Sequence, residues 1–366
     1  MPLPRPAGQD RGAARSGARA RAMSRAGAVG AILGKLSIDQ LLPPERPPPA
    51  SRHARGQAVT AFSASSSTGS ASSAQRPTVG VLGIGIMGSA ISANLVKAGF
   101  PVVGYDPLPA ARAALQAAGA TAVSVPEEAI AAARFLILCL PNDAALCDVS
   151  RQIAAAGAEG LRVAETSTLA IPVKQQAADL LAARGITLLD CPLSGTGAQA
   201  VNRDLAVYAS GDAAAIEAMQ DVFDGFARVT YNIGAFGNGM RMKLMANLLV
   251  AIHNISAAEA LLMGHRLGID LDLAVKVLSD GAGGSRMLQV RGPAMSAGTW
   301  DEATMKVSTW QKDMKLIGAA LADANVPAPL FSACIPVYNA AMGMGHGESD
   351  TAAVYDVLEK MSAISR

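Results

Sequence analysis

The sequence predicts a doubly wound α/β sheet followed by an all-helical C-terminal domain, the two joined by a long helix. Three observations predict it. Short apolar runs alternate with helical stretches from Thr78 onward, the strands stop after Gly239, and residues 240–267 then form one mostly apolar segment without proline that Gly268 closes. Alternating strand and helix is the signal of a parallel sheet with crossover helices, and a glycine just past an apolar-periodic stretch is a helix stop.

The elements follow in order. A strand over 79–82 ends in glycine and leads into a helix over 87–98 and a strand over 101–105. Helix 110–118, strand 122–125, helix 126–133, strand 135–140, helix 144–156, strand 162–165, helix 173–184 and strand 187–190 continue the rhythm. Residues 205–210 and 228–233 read as further strands of the sheet. Helices over 271–278, 305–325, 330–344 and 350–362 complete the C-terminal part. A helix of about 28 residues reaches about 40 Å, long enough to leave the sheet and form the core of a second domain. The expected division is 1–76, 77–236 and 237–366, with no internal repeat at solenoid periods.

Composition bounds the function. The 366 residues exceed the usual single core, and 51% hydrophobic content supplies two. Only 4% of residues are aromatic, which argues against stacking platforms for nucleic acid. Charge is uneven: residues 1–76 hold ten Arg and one Lys against Asp10, Asp39 and Glu45, and that +8 within a total of +2 leaves −6 on residues 77–366. The folded part therefore lacks the basic footprint of a nucleic-acid binder.

The leader itself, with Pro47, Pro48 and Pro49 and a Ser-rich tract over 63–73, cannot bury enough apolar area to offset chain entropy and is expected to be unstructured. The cytoplasm is the expected location, with the mitochondrial matrix as the alternative if residues 1–76 include a transit peptide. Cys139, Cys147, Cys191 and Cys334 form no CxxC pair and read as reduced thiols. His53, His253, His265 and His346 show no HExxH spacing, so no metal is expected. The apolar run 135–140 is too short for a bilayer, and no other run of about 18 uncharged apolar residues occurs, so a soluble protein without a membrane partner is expected.

The first chemical motif is Gly83, Ile84, Gly85, Ile86, Met87 and Gly88. Gly83 allows the tight turn off the strand, Gly85 lets backbone approach a pyrophosphate, and Gly88 lets the helix pack on the sheet with its N-terminus toward the phosphates. A lone GxGxxG is weak, but this one follows a strand, opens a helix and precedes Asp106, 18 residues past Gly88. A carboxylate there accepts hydrogen bonds from ribose hydroxyls and repels a 2′-phosphate. The first domain is thus Rossmann-type and NAD is the expected cofactor. NADP stays open through Arg112.

Five further segments carry a resemblance: Asn94; Leu140-Pro141; Glu165 to Thr168; Asp190 through Ser194, Gly195 and Thr196; and Gly237-Asn238-Gly239 leading to Lys243 and Asn247, with Lys312-Asp313 after them. In this combination and order the chain resembles the β-hydroxyacid dehydrogenase family, which includes 3-hydroxyisobutyrate dehydrogenase and tartronate semialdehyde reductase. The resemblance implies that Lys243 is the general acid/base and Asn247 its partner on the substrate oxygen. It also implies that Ser194, Gly195 and Thr196 hold the substrate carboxylate, and that Leu140, Pro141, Thr168 and Lys312 contact the cofactor. Met242, Leu244 and Met245 would desolvate Lys243 and lower its pKa. Two departures stand out, Thr196 where a second glycine is usual and Glu165 where aspartate is.

The implied activity interconverts a small anionic 3-hydroxy acid and its semialdehyde or keto acid. Glyoxylate or succinic semialdehyde reduction and sugar-acid oxidation are alternatives within the family. An imine reductase usually lacks the lysine, and the helical region is short for 6-phosphogluconate dehydrogenase. A non-catalytic cofactor-binding module is the reading from another class, and Lys243 and Asn247 count against it. The apolar long helix predicts a homodimer or homotetramer.

Overall fold

Residues 61–62 and 76–363 are described by the structure, a computed structural model. A two-residue strand, β1 (Ala61–Phe62), precedes six parallel strands: β2 (Val79–Leu82), β3 (Val102–Tyr105), β4 (Thr121–Ala122), β5 (Phe135–Leu138), β6 (Arg162–Glu165) and β7 (Thr187–Asp190). These six form one sheet in the order β4-β3-β2-β5-β6-β7. Helices α1 (Ile86–Lys97), α2 (Pro109–Ala117), α3 (Pro126–Ala132), α4 (Asp143–Ala156) and α5 (Ile171–Ala182) make the crossovers. The order reverses between β2 and β5, which opens a crevice at the carboxyl ends of the strands where ligands bind in such sheets.

The central strands are apolar on both faces because helices cover both. β2 and β5 are wholly buried. Val79, Val81 and Ile137 join one core, while Leu82, Leu136 and Leu138 join the other, the alternation a pleated strand imposes.

The structure corrects the expected single sheet. Residues 205–210 and 228–233 do contain strands, β9 (Ala206–Ala209) and β10 (Val229–Asn232), but these pair in parallel in a second sheet, flanked by antiparallel β8 (Leu193–Ser194) and β1. Periodicity locates a strand and says nothing of its partner. The short helices α6 (Gly197–Val201), α7 (Ala213–Ala218) and α8 (Gln220–Phe226) are too brief to leave a 3.6-residue signal. β4 is shorter than expected. β1 lies inside the leader expected to be unstructured, where two residues carry no periodicity; apart from it and Arg76, the leader lies outside the described residues.

The long helix is α9 (Asn238–Arg266), 29 residues. It is long and apolar enough to cross a membrane by length and composition, a property the search for uninterrupted apolar runs passes over. Its buried positions, among them Asn247, Ala251, Asn254, Ala258 and Leu261, fall on one face. That face is the core of the helical region, packed on α11 (Arg286–Ala297), α12 (Val307–Asp323), α13 (Pro329–Gly343) and α14 (Val354–Met361), with α10 (Leu271–Asp280) beside them. α11 is absent from the sequence expectation because Gly292 and Pro293 read as breakers. Burial of Met287, Leu288, Arg291 and Met295 keeps it helical across them.

One buried ion pair anchors the helical region. Asp350 pairs with Arg291 at 3.1 Å and accepts from the backbone N–H groups of Thr304, Met305 and Ala352. Burial pushes its carboxyl up, but Arg291 and these donors outweigh burial and hold it below the usual range. Its stabilising effect is therefore present above the unfolded carboxylate value of about 3.9 and is lost as pH falls through the lower folded value. Asp350→Asn should destabilise by about 3–5 kcal/mol at neutral pH and flatten the acid limb of the stability curve below about pH 4. Urea titrations across pH measure both, and an unchanged midpoint would contradict the anchor.

Candidate active site

The glycine turn has the geometry of a phosphate cradle. Gly83 sits at φ +93°, and a Cβ there would stand 2.2 Å from the carbonyl oxygen of Cys139. At Gly88 a Cβ would meet the Gly83 carbonyl oxygen at 1.9 Å. Gly85, by contrast, faces open space. Gly85 is also the N-cap of α1, with no side-chain cap and no acidic residue in the first turn, so the first amides of α1 are available to an anion. Ile84 is buried, Ile86 exposed and Met87 half-buried.

Asp106, at the end of β3, is buried. Its Oδ2 accepts from the Ile84 N–H at 2.8 Å and its Oδ1 from the Leu108 N–H at 2.8 Å. It thereby fixes the turn as well as facing the crevice, and each oxygen keeps a lone pair. Arg112 donates to the carbonyl oxygens of Asp106 and Pro107. An uncapped helix start, an open position at Gly85 and a carboxylate at the next strand end together fit a nicotinamide dinucleotide.

A second cluster lies across the crevice. Lys243 and Asn247 are one turn apart on α9. Asn247 donates from Nδ2 to Asp313 Oδ2 at 2.9 Å, and Lys312 Nζ lies 3.5 Å from Asp313 Oδ1. The Lys312 ammonium also donates to the Thr168 carbonyl oxygen. Burial, then Lys312, lowers the Lys243 pKa below the ordinary lysine value, and Asp313 opposes them. Burial pushes the Asp313 carboxyl above the usual range against the pull of both lysines. Met242 and Leu244 are half-buried beside Lys243, whereas Met245 is exposed, so it takes no part in the desolvation expected of it.

The two clusters are connected. Leu140 N–H donates to Ser167 Oγ at 2.7 Å, which ties the exposed Pro141 turn to the loop carrying Thr168. Gly197 leaves room for Ile86, whose Cγ2 would be 2.5 Å from a Cβ at that position. The Ser194 to Gly197 loop therefore abuts the glycine turn. Ser194 and Gly195 are half-buried.

Thr196 is the N-cap of α6 in a capping box: its hydroxyl accepts from Gln199 N–H and its own N–H donates to Gln199 Oε1 at 3.0 Å. Its backbone N–H and one acceptor position of its hydroxyl are thus engaged in the cap. Gln199 continues to Asp204, which pairs with Arg228 and with Arg286 of the helical region. The member that sequence reasoning leaves without a role is Asp313; its adjacency to Lys312 is visible in sequence, its bond to Asn247 is not. The four cysteines are free, and no cluster of potential metal ligands occurs among the described residues.

Known proteins match most of the described chain. Residues 78–234 match the family model described as the NAD binding domain of 6-phosphogluconate dehydrogenase, and residues 237–358 that of the NAD-binding region of NADP-dependent 3-hydroxyisobutyrate dehydrogenase. An L-threonate dehydrogenase of Haemophilus influenzae is 31% identical over 293 residues, 79% of this chain and 97% of that protein. The chain belongs to the β-hydroxyacid dehydrogenase family. A glyoxylate/succinic semialdehyde reductase of Arabidopsis thaliana is 28% identical over 77% of this chain and 98% of its own length. The crystal structure of 3-hydroxyisobutyrate dehydrogenase from Salmonella typhimurium superposes with a TM-score of 0.71 at 30% identity, covering 76% of this chain and 99% of that one. Like its family, the protein is an NAD(P)-dependent oxidoreductase of hydroxy acids.

The second and third glycines of the turn separate fold from binding. Gly88→Ala collides with backbone and should cost about 1–3 kcal/mol of stability. Gly85→Ala meets no atom within 4 Å, so its Tm should stay at the parent value while NADH affinity, followed by fluorescence, falls at least tenfold. Parent-like NADH affinity in Gly85→Ala would contradict the cradle.

Proposed function

We propose that the protein oxidises a small hydroxy acid of the L-threonate kind with NAD, and that Lys243 is its acid/base. The observation carrying the reading is the half-buried Lys243 with its lowered pKa, set among Asn247, Asp313 and Lys312 and linked through Thr168 to the cofactor turn. When bound, the nicotinamide takes the hydride from the substrate carbon or returns it. The protein's part is the proton: neutral Lys243 accepts it from the hydroxyl during oxidation and gives it back during reduction. Asn247 has its Nδ2 committed to Asp313, which leaves its carbonyl oxygen to accept from the hydroxyl. Ser194 and Gly195 receive the carboxylate, and Lys312 adds positive charge on that side.

L-threonate is favoured because relatives of that name cover 97% and 94% of their own length at 31% identity. The other members of the test panel are 3-hydroxyisobutyrate, glyoxylate and succinic semialdehyde. NAD is preferred because Asp106 faces the ribose end and Pro107 stands where a phosphate-binding arginine would follow. Arg112 is turned onto backbone carbonyls. We place the boundary of the cofactor and helical domains at 236/237, a reading supported by family matches that cover 78–234 and 237–358. The cytoplasm is the proposed location, in keeping with four unpaired thiols.

Turnover followed by NADH absorbance should be greatest with L-threonate, with a higher kcat/KM for NAD than for NADP. Lys243→Ala should lose at least 99% of kcat while NADH affinity stays within twofold. More than a few per cent of parent kcat in that variant would exclude Lys243 as acid/base, and turnover of none of the panel would exclude the substrate class.

Self-association belongs to the same reading. Met245, Leu249 and Met263 are 62%, 51% and 65% exposed along one side of α9. Exposed Ser256 and Glu259 lie between Leu249 and Met263, so the apolar area is carried by Met245 and Leu249, and a second copy of α9 supplies a matching pair. Light scattering at micromolar concentration should give a dimer or tetramer mass, reduced by Leu249→Glu; a parent monomer mass would refute the assembly.

A further inference from the structure

Beneath the candidate active site lies a group of three charges that neither cofactor nor substrate reaches. Lys174 of α5 pairs with Glu165 Oε2 at 2.6 Å and Asp190 Oδ1 at 2.7 Å, and all three side chains are 0% exposed. Burial pushes the Lys174 ammonium toward neutrality, but the two carboxylates outweigh it and keep it charged. Buried ion pairs contribute little net stability compared with apolar residues of similar size. Two carboxylates at the ends of β6 and β7 and a lysine of α5 therefore call for another explanation, and their remaining bonds supply it.

We propose that Asp190, held by Lys174, is the positioning residue for Lys243. Asp190 Oδ2 accepts from the Met240 N–H at 2.8 Å and from the Ser210 hydroxyl at 3.1 Å, and Ser210 Oγ accepts from the Gly239 N–H at 2.9 Å. These are amides of the first turn of α9, whose local N-cap, Gly237, has no side chain to offer. The cap comes instead from strand-end residues, Asp190 at 50 residues from Met240 and Ser210 at 29 from Gly239. The fit is close, since a Cβ on Gly239 would stand 2.3 Å from the Tyr208 carbonyl oxygen and 2.7 Å from that of Asp190. Lys243 follows Met240 by three residues, less than one turn. A shift in this seat moves the ammonium with it.

Lys174 serves the opposite wall as well. Glu165 Oε1 accepts from the Ser167 N–H at 2.9 Å, fixing the loop whose next residue, Thr168, accepts from Lys312. The helix bearing Lys243 and the loop bearing Thr168 thus rest on one cation. Glu165, longer by one methylene than the aspartate usual in the family, spans from that loop to Lys174.

The inference rests on Lys243 as acid/base, so the test has a readout independent of substrate. Asp190→Asn, Ser210→Ala and the parent are compared by thermal melting, by kcat and KM for L-threonate with NAD, by NADH affinity, and by the pH dependence of Lys243 labelling with an amine-reactive reagent read by mass spectrometry. Asp190→Asn should lose at least tenfold in kcat with NADH affinity within twofold, and Lys243 should titrate nearer the ordinary lysine value than in the parent. Ser210→Ala, which keeps the three charges, should lose about threefold and shift the labelling curve the same way. Folded Asp190→Asn with parent kcat and parent labelling overturns the proposal. If Asp190→Asn does not fold, parent labelling in Ser210→Ala overturns it. Should L-threonate not turn over in the parent, the labelling curves still decide the placement of Lys243, so that failure falls on the substrate reading alone.

Discussion

A lysine serves as a base near neutral pH only where water solvates its ammonium poorly, and such a place must be held open against the tendency of a long side chain to reach solvent. For the base proposed here, Lys243, the place is where α9 meets the carboxyl ends of β7 and β9. The helix start is capped by Asp190 and Ser210, and Lys243 sits one turn in.

The junction also explains why sheet and helices must act as one body. The glycine turn and Asp106 organise the cofactor end through short-range backbone geometry. The end proposed for proton transfer is organised by long-range bonds: Lys312 to Thr168, Asn247 to Asp313, Arg286 to Asp204. Neither end is complete alone. Hydride and proton leave the same substrate, so the distance between the two ends is the quantity the fold has to fix.

Legibility in the sequence follows the same division. The Gly83 to Gly88 turn and Asp106 are readable because their pattern is local, three glycines on a strand-turn-helix and a carboxylate one strand later, whereas Lys243 and Asn247 stand out only through the resemblance to the family. The second sheet was not readable, because β9 and β10 read as strands whatever their neighbours. Nor was α11, where burial of Arg291 and Met295 overrides Gly292 and Pro293. The capping box of Thr196 with Gln199, three residues on, is a local pattern that stands beside the substrate role the resemblance implies. Asp190 and Lys174 are 16 residues apart and on different elements, and no pattern in the chain announces that they share a charge.

The central claim is that burial and the neighbours of Lys243 set its proton affinity for catalysis. The pH dependence of kcat for hydroxy-acid oxidation tests it most directly, in the parent and in Asp313→Asn. Oxidation needs the neutral amine, so kcat should rise with pH through a midpoint below the ordinary lysine value of 10.5. Asp313 raises that midpoint, and its removal should move the limb to still lower pH. A parent limb at or above 10.5, or a limb that moves upward in Asp313→Asn, would contradict the account.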